Sequence, residues 1–154
     1  MFDLDNLIPF IRKAVNDNDP SDYKYTDDEL RSYLRMGAYQ VEGSWECGYT
    51  FSTETVGGNT HYFVSPEPPT WRQMLYVHKT ALMMGAWETT YSYTLASIKV
   101  SYNSKRDDMK RIQDMYDEIE YEHRYTGAGF AYNTWDDYFS RLNLIWSEIS
   151  EGYR

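Results

Sequence analysis

Hydrophobic residues recur at intervals of three and four along most of the chain, which is the spacing that places them on one side of an α-helix. The first such segment begins at Asp3 or Asp5, has Pro9 near its first turn, and ends before the polar stretch 16–22. Its predicted buried side chains are Leu4, Leu7, Ile8, Ile11 and Val15. Further helices are predicted over about 27–41, 70–94, 105–124 and from 135 to near the C-terminus.

Helix starts are marked by hydroxyl residues that are followed three positions later by an acceptor able to reach back to the backbone. This is the spacing of the capping box and of its aspartate variant. The four pairs are Thr26 with Glu29, Thr70 with Gln73, Ser104 with Asp107, and Thr134 with Asp137.

The predicted second helix carries a pair of small residues, Gly37 and Ala38, on its apolar side. Small residues allow two helix backbones to approach closely. We therefore expect another helix to cross this one near the pair. The full inward face is predicted as Leu30, Tyr33, Leu34, Gly37, Ala38 and Val41.

A different pattern occupies residues 45–64, where aromatic and β-branched residues alternate with polar ones around Gly57, Gly58 and Asn59. This pattern predicts a β-hairpin or an extended loop. A lone hairpin is marginal in water, so it should pack on the helices or on a neighbouring subunit. A second short alternation, Ser97 to Tyr102, predicts one further strand.

The predicted fold class is mainly α. It is a small bundle of four helices over residues 1–125, with a hairpin or loop insertion at about 45–65 and a C-terminal helical arm. Small and flexible residues between Thr126 and Asn133 indicate a joint before the arm, which spans 126–154. The last helix can instead be a fifth core helix.

The charge of the chain and the length of its apolar runs exclude some classes of function. The net charge is −9, with 15 Lys and Arg against 24 Asp and Glu, so tight binding to phosphate backbones is not expected. The longest apolar run, from Ala81 to Trp87, is far too short to cross a bilayer. Residues 1–30 hold eight of the acids, which predicts a solvated face or a surface that complements a basic partner.

Aromatic residues make up 18% of the chain, with 16 Tyr, 5 Trp and 6 Phe. Such side chains are enriched at protein interfaces, which favours a subunit of an assembly over a core rich in Tyr. On the arm, the predicted partner contacts are Trp135, Tyr138, Leu142, Ile145, Trp146 and Ile149. On the hairpin, the predicted contacts to a partner or neighbour are Tyr49, Phe51, Gly57, Gly58, Asn59 and Tyr62.

Candidate catalytic and metal-binding patterns are weak. Glu120 and His123 have the spacing of half a di-iron site, but the other carboxylates that such a centre needs are not evident. Asp17 and Asp19 resemble the start of a calcium loop, in which Asp22 replaces the required glycine. The lone cysteine, Cys47, has no signature of an activated thiolate. We therefore predict no enzyme activity, no cofactor and no metal site.

The order of elements resembles the head-tail connector, or adaptor, proteins of tailed bacteriophages. The similarity covers roughly residues 3–125, and its most specific part is the acidic turn from Asp17 to Leu30 together with the capped helix that follows. The proline-primed long helix, the segment Ser97–Ser101 and the charged helix after it also fit the layout. The hairpin and the extension from Thr126 to Arg154 depart from it.

This resemblance implies a structural virion protein, made in the host cytoplasm and located in the neck between capsid and tail. Its partners would be the portal protein, neighbouring copies in a dodecameric ring, and a downstream neck or tail protein. DNA would pass through the ring without specific binding, and no membrane is involved. The alternative is an acidic phage-encoded binding module or inhibitor that acts on a basic protein.

Overall fold

The computed structural model describes residues 1–43, 48–84, 98–123 and 134–152. The chain forms two compact units, Met1–Met84 and Gly85–Arg154, so the units divide at a different position from the predicted joint at 125/126. The first unit contains β1 (Phe2–Asp3), a short 3-10 turn (Leu4–Leu7), α1 (Ile8–Ala14), α2 (Asp27–Gly43), β2 (Thr50–Val56), β3 (Asn59–Ser65) and α3 (Thr70–Met84). The second contains α4 (Ile98–Tyr121) and α5 (Trp135–Gly152).

A three-stranded antiparallel sheet corrects the predicted fold class, a mainly α bundle of four helices. The hairpin is present, but β3 lies between β2 and β1 in the order β1-β3-β2. Phe2 is opposite Val64 and Asp3 is opposite Phe63. Strand β1 has only two residues, so it shows no alternation by which the sequence could predict it. Its pairing with β3 covers an edge of the hairpin that would otherwise be open.

Helices α2 and α3 cross closely in the first unit, as the small pair predicted. A Cβ atom added at Gly37 would lie 2.3 Å from Thr80 Oγ1 and 3.2 Å from the Thr80 Cα. Both helices bury apolar side chains completely. These side chains include Leu30, Leu34, Ala38 and Val41 of α2, and Met74, Leu75, Val77 and Ala81 of α3.

Two of the predicted capping boxes form. The backbone N–H groups of Thr26 and Glu29 each bond to the other residue's side chain at 2.7 and 3.2 Å, and Thr134 and Asp137 do the same at 3.2 Å. The box at Thr70 is replaced. Gln73 donates its side-chain amide to the Pro68 carbonyl and its backbone N–H to the Pro69 carbonyl.

Helix α4 overturns the strand predicted over Ser97–Tyr102. Residues 98–102 form the first turn and more of this 24-residue helix, so the helix start predicted at Ser104 is also wrong. A five-residue alternation is a weak signal, and the helix continues through it because propagation is favourable once a turn exists. Residues 85–94 of the predicted third helix and the joint at 126–133 lie outside the described residues.

Helix α5 packs along α4 within the second unit. Ile112, Met115 and Ile119 of α4 are buried, and so are Phe139 and Leu142 of α5. Among the helices described, none has both the length and the apolar character needed to cross a bilayer.

Candidate interaction surface

An aromatic surface lies where the exposed side of α2 meets the hairpin. The Tyr39 ring stacks on Phe51 with centroids 4.4 Å apart. The Arg35 guanidinium lies 4.9 Å from the Tyr62 ring centroid and 5.6 Å from that of Tyr39. These four residues, Arg35, Tyr39, Phe51 and Tyr62, are called the aromatic surface below.

The sequence builds this surface from two periodicities. Arg35 and Tyr39 are four residues apart, so both lie on one face of α2. In the hairpin, Phe51 is opposite Val64 and Tyr62 is opposite Thr53, which places Phe51 and Tyr62 on the same side of the sheet as the buried Val64. The hairpin therefore turns its aromatic side toward α2.

A shallow groove lies along α2, toward the N-terminal end of the helix from Tyr39. Its lining residues are Asp28, Glu29, Ser32, Tyr33 and Met36. Met36 is 51% exposed and Tyr39 is 44% exposed, so two large side chains stand at the surface on neighbouring turns of α2. The two acids at one end of the groove also bond within the chain, Glu29 to the backbone of Thr26 and Asp28 to Arg31.

The hairpin tip is made by two glycines in the left-handed region, Gly57 with φ 58° and Gly58 with φ 87°. Positive φ at both central residues is what the tight hairpin turn requires. Asn59 begins β3, and Val56 just before the turn is 45% exposed. The predicted tip contacts therefore stand at the surface.

Tyr49 belongs to a different cluster. Its ring lies 4.4 Å from the Arg72 guanidinium carbon, and Arg72 forms a two-pronged ion pair with Glu42, both bonds being 2.6 Å. Tyr76 donates its hydroxyl to the same carboxylate. Burial, and then the bond to Glu42 and its charge, raise the pKa of Tyr76 well above its ordinary value. This cluster joins the end of α2 to α3.

The acidic turn between α1 and α2 is organised by Arg12. Its guanidinium donates to Asp17 at 2.7 Å, to Asp27 at 2.6 Å and to the Tyr25 carbonyl at 3.1 Å. Asp17 is buried and also accepts the backbone N–H of Lys24 at 2.8 Å. The Asp17 carboxylate would be a ligand in the calcium loop that the sequence resembles. In the structure it holds the turn together instead.

The predicted arm contacts are placed as follows. Tyr138, Leu142 and Ile145 are buried, and Trp135 is half-buried with its ring stacked 5.9 Å from Phe139. The side chains of Trp146 and Ile149 lie outside the described part. Three of the six residues are therefore covered in this chain, and Leu144 on the same helix is 48% exposed.

One group of metal-ligating side chains is present among the described residues, namely Asp3, Asp5 and His61. Glu120 and His123, the pair with di-iron spacing, are both half-buried.

Sequence reasoning missed Arg35, Tyr39 and Met36 as surface residues and Arg12 as the organiser of the acidic turn. The four-residue spacing of Arg35 and Tyr39 was a usable signal, whereas the hairpin that completes the surface is distant in sequence. Comparison of the chain with models of protein families, with curated proteins and with solved structures finds no match.

Proposed function

We propose that the protein is a structural subunit of a phage neck, a head-tail connector that binds the portal ring and neighbouring copies of itself. The observation that carries the proposal is the aromatic surface with the groove beside it. Tyr, Met and Arg are the residues enriched in interface cores, and here they are gathered on one exposed side of α2. The layout of the acidic turn and the helix after it is a second support.

The acidic alternative is less well supported because several carboxylates are already engaged inside the chain. Asp17 pairs with Arg12, Asp5 with Arg31 and Glu42 with Arg72. An inhibitor that imitates a charged surface needs its carboxylates free and regularly spaced on one face. These three are buried or half-buried.

The test is binding of the full chain to a portal ring from the same source, followed by sedimentation. We expect the chain to sediment with the ring. A double variant, Met36→Ser with Tyr39→Ser, should weaken this binding at least about tenfold, since two exposed anchors are lost from the interface.

The matched control is Gln40→Ala, which changes an exposed residue of the same helix outside the aromatic surface. It should bind like the unaltered chain. Equal binding by the double variant and the control would remove the aromatic surface from the proposal, and failure of the unaltered chain to bind would remove the connector function itself.

A further inference from the structure

A cluster of metal-ligating side chains lies where the N-terminal strand meets the hairpin. Asp3 ends β1, Asp5 lies in the 3-10 turn that follows, and His61 lies on β3. His61 Nδ1 is 2.8 Å from Asp3 Oδ2 and 3.6 Å from Asp5 Oδ2. All three side chains are half-buried, so they are held in place while remaining open to small solutes.

We propose that Asp3, Asp5 and His61 bind one divalent cation of the zinc type. An imidazole nitrogen with two carboxylate oxygens is a donor set that such ions accept, with water in the remaining position. The site is independent of the proposed portal binding, since none of its residues belongs to the aromatic surface or the groove.

The distances from His61 Nδ1 to the two carboxylate oxygens fit a shared ion, and the three donor atoms all lie within 4.8 Å of one another. With metal–ligand bonds of about 2.1 Å, neighbouring ligand atoms lie about 3.0 Å apart in octahedral geometry and about 3.4 Å apart in tetrahedral geometry. The observed separations of 2.8 and 3.6 Å bracket these values. An ion at the centre would replace the direct contact between His61 Nδ1 and Asp3 Oδ2.

The carboxylates are already oriented by groups outside the donor set. Asp3 Oδ1 accepts the backbone N–H of Asp5 at 2.9 Å, which leaves Oδ2 toward His61. Arg31 donates to Asp5 Oδ1 at 2.9 Å and to Asp5 Oδ2 at 2.6 Å, so Oδ2 would bind the ion through its remaining lone pair while it keeps the bond to Arg31. Arg31 also pairs with Asp28. Hydrogen-bonded carboxylates are the usual ligands of protein metal sites because the outer groups fix their direction.

The local charge also favours a divalent cation. The carboxylates of Asp3, Asp5 and Asp28 with the Arg31 guanidinium carry a formal net charge of −2 when His61 is neutral. A divalent ion brings this to zero. It would also tie β1 and the 3-10 turn to β3, elements that are 58 residues apart at His61 and Asp3.

The experiment is a Zn²⁺ titration of the full chain, followed by calorimetry. We expect one ion per chain and a higher unfolding temperature with Zn²⁺ present. His61→Gln and Asp3→Asn should each reduce the affinity at least about tenfold. Asp22→Asn, which removes the same charge from an exposed turn of the same unit, should leave the affinity unchanged.

Three results would overturn the site. They are absence of bound Zn²⁺ in the unaltered chain, affinity unchanged in both ligand variants, and loss of the ion in Cys47→Ser, which would assign it to the thiol. If a ligand variant fails to fold, the ring signals of the three histidines in the unaltered chain decide. Zn²⁺ should shift those of His61, and a shift only at His78 or His123 contradicts the proposal.

Discussion

Gly37 sets the distance between α2 and α3. The Thr80 hydroxyl, which a new methyl group would meet, is itself fixed by a 2.6 Å bond to the Tyr76 carbonyl, so it cannot move aside without losing that bond. Helix propensity alone would favour alanine by about 1 kcal/mol. The clash makes alanine destabilising instead, because the atoms that its methyl group would meet include the backbone of Thr80, which cannot easily move.

We therefore expect Gly37→Ala to lower the free energy of unfolding by about 1 to 3 kcal/mol. Gly43→Ala is the matched control, since a Cβ at the end of the same helix meets nothing within 4 Å. It should be neutral or slightly stabilising. Urea denaturation of the two variants measures both values, and equal stability would contradict the close crossing.

Tyr76 makes the stability of the first unit sensitive to alkaline pH. Burial raises the pKa of its hydroxyl, so the folded chain keeps the proton above the ordinary tyrosine pKa of about 10 while the unfolded chain releases it. The unfolded state then binds fewer protons than the folded state. Stability from this group is thus complete below about pH 10 and is lost as the pH rises further.

Replacing Tyr76 with Phe removes both the bond to Glu42 and this pH dependence. At pH 8 the variant should be less stable by about 1.5 to 3 kcal/mol, the range for a hydrogen bond to a charged group. At pH 11 the difference from the unaltered chain should be smaller. Urea unfolding at the two pH values measures it, and a constant difference would mean that Tyr76 ionises alike in both states.

At the scale of the elements, Arg12 stabilises the turn between α1 and α2. Its guanidinium is buried, and it holds the buried Asp17 as well as Asp27 at the start of α2. Loss of one member of a buried pair leaves the other charge without compensation, which is costly.

Arg12→Gln should therefore destabilise the chain by about 3 kcal/mol, the low end for a broken buried pair, because Asp17 keeps its backbone donors. Lys24→Gln removes the same charge from an exposed position of the same turn and should cost less than about 0.5 kcal/mol. Thermal unfolding of both variants compares them. Similar midpoints would show that Arg12 does not organise the turn.

Patterns within an element were readable from the sequence, and contacts between distant elements were not. The buried stripe of α2, the box at Thr26 and the hairpin turn at Gly57 follow from local spacing and local chemistry, and the structure confirms them except at Tyr33. Tyr33 is predicted to face inward, but it is half-buried and lines the groove. The strand β1 pairs with residues some 60 positions away, and the Tyr39–Phe51 contact of the aromatic surface joins residues 12 positions apart. Neither contact has a local signal in the sequence. The strand predicted over Ser97–Tyr102 is wrong because a short alternation is a weak signal. These residues belong instead to the helix that begins at Ile98 and continues to Tyr121.

At the scale of the whole molecule, the chain forms two compact units, and among the described residues an exposed aromatic surface lies on the first of them. The predicted arm helix, α5, packs on α4 within the second unit, and half of its predicted contact residues are buried. We therefore propose that the assembly contact is made by the surface on α2 rather than by the buried residues of α5.

The most direct test of that function is the mass of the full chain in solution, measured alone and then with a portal ring from the same source. The account predicts a complex heavier than the ring by one 18.3 kDa copy for each portal subunit. A chain that stays at its own mass beside intact portal rings would contradict it.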